Sequence, residues 1–353
     1  MIIFHIYLHK EKRNTKNKTN MKQNLLHKQP TSLAFITTDK CTASCHNCCF
    51  KCSPKNAQRL SLSQITNIIE QVMDEFDEVN SCVFTGGECT LLGNDLLKAI
   101  EYASNKELIC RIVSNGYWAI SEEKAYNYLK ELVNCGLREL NLSTGDEHQK
   151  WVSVQKVINA CKAAKKLNLY TAVNIESTPN SSITSALLLK DKDIKDAVTN
   201  GQLLLKDSTW IEFDEEENLS NSNTYGYDTG GCPYLFNTIS VSPDMHLLAC
   251  CGLTCQESRI LKIGNITQYP IRKIWEAQFD DLLKLWLYTH GPHEIHKYTC
   301  RKTGKTTVHH KYPHICSMCQ HILKDPDTIR ILKENINGIL PNVLYKYKLL
   351  TNT

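Results

Sequence analysis

The apolar run Leu33-Ala34-Phe35-Ile36-Thr37-Thr38, followed shortly by Cys41-Thr42-Ala43-Ser44-Cys45-His46-Asn47-Cys48, decides the reading of this 353-residue chain. The first six residues read as a β-strand, and the cysteines fall in the order C-x3-C-x2-C on the loop behind it. Thiolates converging from one short loop suit an iron-sulfur cube, and a set of three leaves one iron open to a small molecule. C-x2-C pairs also bind zinc, and Cys49 and Cys52 stand close by as further donors.

Outward from that stretch, β-type runs alternate with segments of helical period, the pattern of a parallel sheet with crossover helices. Predicted strands are 33–38, 81–85, 108–114, 137–143 and 170–175, with a sixth at 203–206 or 209–213. Predicted helices fill the gaps at 61–76, 95–105, 122–134, 151–167 and 182–200. In the first of these Ile65, Ile68, Ile69, Val72 and Phe76 share one face, with Ser61 or Ser63 as cap. About six βα units make an α/β fold, a partial (β/α)6 TIM-like barrel.

The polar run Asp214–Thr224 breaks the pattern, so 31–224 reads as the core and 225–330 as a smaller cysteine-rich domain. That region holds a strand-turn-strand over 238–250 and a histidine-rich stretch, where His290, His293, His296, His309, His310 and His314 read either as zinc donors or as solvated loop residues of an insertion. A C-terminal extension, 331–353, belongs to a helical segment over 328–350 that Pro341 interrupts. Residues 1–30 carry seven Lys/Arg against Glu11 and read as a disordered basic tail, or as translation assigned upstream of Met21. Without aromatic interleaving this tail gives no reason to expect a nucleic-acid partner. No apolar stretch reaches membrane-spanning length, and Met1–Leu8 lacks a preceding basic region. With 17 cysteines and no signal peptide, metal or redox ligands are expected in a cytoplasmic protein.

Function in a parallel barrel gathers on the loops after the strands. Gly86-Gly87-Glu88 follows the second strand, where the glycines let backbone approach a ligand and the glutamate offers an acceptor to an ammonium group. Ser114-Asn115-Gly116-Tyr117-Trp118 follows the third strand, and Ser143-Thr144-Gly145-Asp146-Glu147-His148 the fourth. Both supply hydroxyl, amide and carboxylate groups, alone no more than loop caps. Farther on stand Cys232, Cys250, Cys251, Cys255, Cys300, Cys316 and Cys319. Cys82, Cys89, Cys110, Cys135 and Cys161 fall within barrel elements, where cysteine acts as a small apolar residue.

Taken together, the three cysteines and Gly86-Gly87-Glu88 resemble the radical SAM superfamily, whose open iron binds the amino and carboxylate groups of S-adenosylmethionine. The resemblance implies a 4Fe-4S cluster on Cys41, Cys45 and Cys48, with Gly86, Gly87, Glu88, Asn115, Ser143 and Asp146 holding S-adenosylmethionine. His148 has a less defined part. Many relatives carry an aromatic residue before the third cysteine; Asn47 stands here, so adenine packing is expected from elsewhere. Cys232, Cys250, Cys316 and Cys319 resemble the ligands of SPASM and twitch domains and imply one auxiliary 4Fe-4S cluster, a four-thiolate zinc site being the alternative. Over residues 33–325 the ensemble is similar to radical SAM peptide epimerases of the Epe type. That similarity makes Cys251 the hydrogen donor, a precursor peptide the substrate, and a flavodoxin- or ferredoxin-type protein the electron donor. A thioether or carbon-carbon crosslinking maturase, or a non-catalytic zinc or iron-sulfur protein, are the competing readings.

Overall fold

A computed structural model describes residues 27–178, 180–209, 230–305, 312 and 314–351. Nearly all of the basic tail, the run 214–224, His309 and His310 lie outside the described residues.

Six parallel strands form the body of the sheet: β1 Ser32–Ile36, β2 Ser81–Thr85, β3 Ile109–Ser114, β4 Leu137–Gly145, β5 Tyr170–Ser177 and β6 Leu203–Thr209. Between them run α1 Leu62–Glu75, α2 Asn94–Asn105, α3 Glu122–Asn134, α4 Val154–Lys166 and α5 Lys192–Thr199. Period-two alternation divides each strand between two faces. Leu33, Phe35, Cys82, Phe84, Cys110, Ile112, Leu140, Leu142, Val173 and Ile175 are buried in the core with the helices. The alternate residues Arg111, Glu139, Asn141, Ser143 and Asn174 are half-buried on the opposite face, with Ser143 in register with Asn174 and Lys206. That face is therefore largely polar on β4 and mixed on β2 and β3, where Val83 and Val113 share it.

Local chemistry explains the helix boundaries. Ser61 caps α1 through a capping box with Gln64, whose Oε1 accepts from the Ser61 N–H at 2.8 Å. The helix expected from 151 starts only at Val154, because a short turn at Asp146–Gln149 precedes it. The helix expected over 182–200 divides into Ser185–Leu188 and α5, with the Asp191 carboxylate capping the second piece. Cys82, Cys89, Cys110 and Cys161 are buried in the core as small apolar residues, with Cys135 partly buried against it.

The second region is joined to the first more closely than the composition suggests. Strand β7, Leu235–Val241, pairs in parallel with β1, and β8 His246–Cys250 and β9 Lys262–Asn265 follow in antiparallel. The result is one nine-stranded sheet in the order β6-β5-β4-β3-β2-β1-β7-β8-β9, with one hydrophobic core through both parts. The histidine-rich stretch is a helix, α6 Leu282–Thr303, followed by α7 Ile315–Lys324, α8 Pro326–Glu334 and α9 Ile336–Thr351. Helix α9 continues through Pro341, where an interruption was expected.

Helix α6 kinks at Gly291, whose φ of 79° precedes Pro292. The kink fits against Gly230 and Gly231: a Cβ on Gly231 would lie 1.7 Å from the Tyr288 carbonyl oxygen, and one on Gly291 2.2 Å from that of Gly230. Gly231→Ala is accordingly expected to cost upwards of about 2 kcal/mol. Gly338→Ala, with nothing within 4 Å, should be neutral or stabilising by up to about 1 kcal/mol. Denaturant unfolding of the two variants checks the contrast.

Candidate active site

The loop after β1 is closed at its neck by backbone pairing. Thr37 N–H donates to Thr85 O at 2.8 Å, Leu60 N–H to Thr37 O at 2.8 Å, Asp39 N–H to Gln58 O at 3.1 Å and Cys41 N–H to Ser53 O at 3.1 Å. Within the loop Cys48 N–H reaches Cys45 O at 3.3 Å and Lys51 N–H reaches Cys48 O at 3.0 Å. Cys41, Cys45 and Cys48 thereby share one small cluster with Ala43, Cys52 and Phe50. Phe50 was not singled out in the sequence, yet it is the aromatic ring packed beside these cysteines.

Gly86 and Gly87 allow an approach, but it is an approach of backbone to backbone. Added Cβ atoms would lie 2.5 Å from Thr38 O and 2.1 Å from Lys40 O. Gly87 N–H donates to Thr38 O at 2.7 Å and Glu88 N–H to Lys40 O at 2.9 Å, seating this turn against the cysteine loop. The Glu88 carboxylate is fully buried. Its Oε1 accepts from the Thr90 and Ser114 hydroxyls at 2.6 and 2.8 Å and from Thr90 N–H at 3.3 Å. Its Oε2 accepts from Asn115 N–H at 2.8 Å. Burial raises the Glu88 pKa against the opposing pull of these bonds.

Asn115 carries that arrangement to the cysteines: its Nδ2 donates to Thr42 Oγ1 at 3.0 Å and lies 3.6 Å from Cys41 Sγ. Ser114, quoted in its loop as a hydroxyl but not placed in the cofactor set, donates to Glu88 and accepts from Trp118 Nε1 at 2.9 Å. Ser143 is half-buried on the polar face of β4. The Asp146 carboxylate caps a neighbouring turn, accepting from Ser182 N–H and Ile183 N–H, both at 2.8 Å. Buried His148 places Nδ1 2.8 Å from Glu176 Oε2. Glu176, at the end of β5, had no motif to mark it; its position after a barrel strand was the available signal. Burial raises its pKa, opposed by His148.

The three thiols differ in their acidity. Burial pushes Cys41 up to about 11 and Cys45 up to about 12, whereas a hydrogen bond from the Cys52 thiol brings Cys48 down to about 6. N–H groups already point at two of the sulfurs, with Ala43 N 3.4 Å from Cys41 Sγ and Cys52 N 3.4 Å from Cys48 Sγ. This donor set, closed at the neck and lined with N–H groups that favour thiolate, fits a cluster. Among the described residues no three His, Cys, Asp or Glu side chains converge to hold a single metal ion.

A second thiol group lies in the C-terminal region. Cys232 follows the Gly230-Gly231 turn, Cys250 ends β8, and Cys316 and Cys319 lie on α7, capped by His314. All four line one cavity, whose remaining wall includes Tyr234, Leu235, Leu261, Leu287 and Pro292. Gly252 lies between two of them: a Cβ there would meet Cys316 Sγ at 3.1 Å and Cys250 Sγ at 3.5 Å. Burial raises the pKa of all four, that of Cys316 up to about 12. Four thiols lining one cavity are the donor set of a cluster or of zinc, although no three of them stand in single-ion geometry. Cys251 is the one exposed cysteine among them, and buried Cys255 is not part of the cavity wall. Lys51 Nζ meets Glu257 Oε2 at 2.9 Å, joining the two cysteine-bearing loops.

A strand-borne three-cysteine loop seated on a glycine-glycine-glutamate turn at the end of a partial parallel barrel defines a class of iron-sulfur enzyme that uses S-adenosylmethionine. Residues 35–176 match the model of the radical SAM superfamily. The chain is 26% identical over 127 residues to the putative peptide biosynthesis protein YydG of Bacillus subtilis (strain 168). That match spans 36% of this chain and 40% of the relative's length. The fold is similar to that of native anSMEcpe solved with bound AdoMet and Cp18Cys peptide, with a TM-score of 0.52 and 16% identity. The superposition covers 89% of this chain and 99% of the other. Native anSMEcpe with bound AdoMet gives a TM-score of 0.53 at 15% identity over the same shares. The match to that family implies a 4Fe-4S cluster and S-adenosylmethionine. Among the described residues no helix is long and apolar enough to cross a membrane.

The Cys48 assignment is checked on metal-free protein. Its alkylation by iodoacetamide should rise with pH around about 6, and Cys52→Ala, which removes the donor, should move that midpoint upward. Peptide mapping after pulse alkylation reads the shift. An unchanged midpoint would remove Cys52 from the account.

Proposed function

We propose that this chain cleaves S-adenosylmethionine reductively and modifies a ribosomally made peptide, inverting a residue from L to D. Cys41, Cys45 and Cys48 would hold the 4Fe-4S cluster. Asn115 would steady the Cys41 sulfur, and the Gly86-Gly87-Glu88 turn would form the adjoining wall for the cofactor's amino acid part. Ser143 would contribute from the polar barrel face. Asp146, occupied at its turn, would act by fixing that loop. When bound, cluster and cofactor supply a 5′-deoxyadenosyl radical able to take a hydrogen atom from carbon. Cys232, Cys250, Cys316 and Cys319 would hold one auxiliary 4Fe-4S cluster.

The observation that carries the inversion reading is the placement of Cys251. It is exposed where the other cysteines are buried or half-buried, and its loop is docked onto the cysteine loop through Lys51 and Glu257. Its thiol would return a hydrogen atom to the α-carbon from the face opposite the abstraction. The S–H bond breaks, a C–H bond forms, and the sulfur radical takes up one electron and one proton to reset. A flavodoxin- or ferredoxin-type protein is the class of reductant required. The peptide substrate rests on the name of the Bacillus subtilis relative, which covers only part of either chain.

In heavy water, the wild-type product should gain one deuteron per inverted residue, and acid hydrolysis with chiral chromatography should give D-residues. Cys251→Ala should keep 5′-deoxyadenosine formation and lose inversion. D-residues from that variant would remove the donor assignment. A product lighter by two hydrogens would establish crosslinking in place of epimerisation, and a loaded wild-type enzyme producing no 5′-deoxyadenosine would overturn the radical reading itself.

A further inference from the structure

Asn115 stands directly after β3 with 7% of its surface exposed, and each polar atom of its side chain has a protein partner. Nδ2 donates to Thr42 Oγ1 at 3.0 Å and to Cys41 Sγ at 3.6 Å, while Oδ1 accepts from Tyr117 N–H at 3.0 Å. Its backbone N–H is held by Glu88 Oε2 at 2.8 Å. A side-chain amide nitrogen carries two hydrogens, and Thr42 and Cys41 take both. A part for Asn115 in holding S-adenosylmethionine, which the family resemblance implies, therefore finds the side-chain donors already spent on the cysteine loop.

These bonds aim an N–H dipole at one buried sulfur. An electron added to a cluster in such a place is stabilised by N–H groups directed at its sulfurs, and hydrogen bonds to sulfur are among the factors that set cluster potentials. Ala43 and Cys52 also direct N–H groups at Cys41 and Cys48, each at 3.4 Å, but these belong to the backbone and stay whatever side chain those positions carry. The Asn115 donor depends on the residue itself and reaches Cys41 from the loop after a different strand. Thr42 and Tyr117 fix the orientation of the amide, and Glu88 fixes the backbone that carries it.

We propose that the Asn115 side chain acts on the cluster rather than on S-adenosylmethionine, raising the reduction potential of the cluster on Cys41, Cys45 and Cys48 through its bond to the Cys41 sulfur. Asn115 is thus a positioning residue that makes this cluster easier to reduce. The inference rests on the cluster assignment proposed above and adds to it the side chain that tunes the cluster. The step concerned is a one-electron reduction, with the electron supplied by the flavodoxin- or ferredoxin-type reductant. No bond is made or broken at Asn115.

The test uses the full chain, reconstituted anaerobically with iron and sulfide, and follows its reduction by EPR at poised potentials without S-adenosylmethionine. The signal that counts is the one that changes when S-adenosylmethionine is added afterwards. At the wild-type midpoint, Asn115→Leu, which keeps the bulk and lacks the donor, should lower the ratio of reduced to oxidised cluster at least about threefold. An unchanged ratio would overturn the proposal, and weaker binding of S-adenosylmethionine alongside it would return Asn115 to the cofactor. Pulsed EPR of the reduced wild-type cluster, with asparagine isotope-labelled at its side-chain nitrogen, should show coupling to that nitrogen. Absence of the coupling would overturn the proposal even where the variant fails to fold. A fully iron-loaded wild type with no signal responsive to S-adenosylmethionine would overturn the cluster assignment, and this inference with it, an outcome distinct from a responsive cluster whose potential ignores Asn115.

Discussion

The buried Glu88 carboxylate holds the catalytic end of the barrel together. It draws hydrogen bonds from Thr90, Ser114 and Asn115, and the backbone beside it bonds to Thr38 and Lys40. Three consecutive strand ends thus meet at one side chain. A buried carboxylate is tolerated only with such partners, since each polar group left unsatisfied costs about 1–3 kcal/mol. Its burial is therefore also a constraint: the loops after β1, β2 and β3 must adopt one mutual arrangement for Glu88 to be satisfied. Asn115 then has its amide fixed between Thr42 and Cys41 as a consequence of that arrangement.

The same constraint changes the meaning of the glycines. From the sequence, Gly86 and Gly87 read as room for a ligand. In the fold they are first room for Thr38 and Lys40, whose carbonyl oxygens come closer than any Cβ permits. Sequence spacing correctly named the turn because both needs select the same residue type. It could not tell them apart, since the approach is made by a strand some fifty residues earlier in the chain. Asp146 is the parallel case, with its two oxygens spent on Ser182 and Ile183.

Much of the barrel was legible because its strands alternate over a buried face and its helices carry their own caps, as at Ser61. The second region was less so. Its hairpin reads as a separate unit in composition, yet β7 joins β1 in parallel, a pairing across some two hundred residues that no local pattern encodes. That the histidine-rich stretch is helical, where a loop insertion was one of two readings, has a related reason. Gly291 and Pro292 are strong breakers locally, and only the surface formed by Gly230 and Gly231 makes a kinked helix the stable outcome there. Glu176 was missed because one glutamate at a strand end has no pattern until the register places it beside His148.

Cys48 meets electrostatic conditions opposite to those of the C-terminal cavity, whereas Cys41 and Cys45 beside it are raised by burial as the cavity thiols are. Around Cys48 the protein's own donors already favour thiolate, drawing its pKa to about 6. Around Cys232, Cys250, Cys316 and Cys319 burial favours the neutral thiol throughout. Under the proposed auxiliary site, the positive charge of a metal would do in that cavity what hydrogen bonds do at Cys48, because an uncompensated thiolate in apolar surroundings is costly. Under the proposed auxiliary site, deprotonation and metal capture would be one event in the C-terminal cavity, whereas in the first loop Cys48 alone would be charged beforehand. Cys251 stands exposed to solvent beside the cavity.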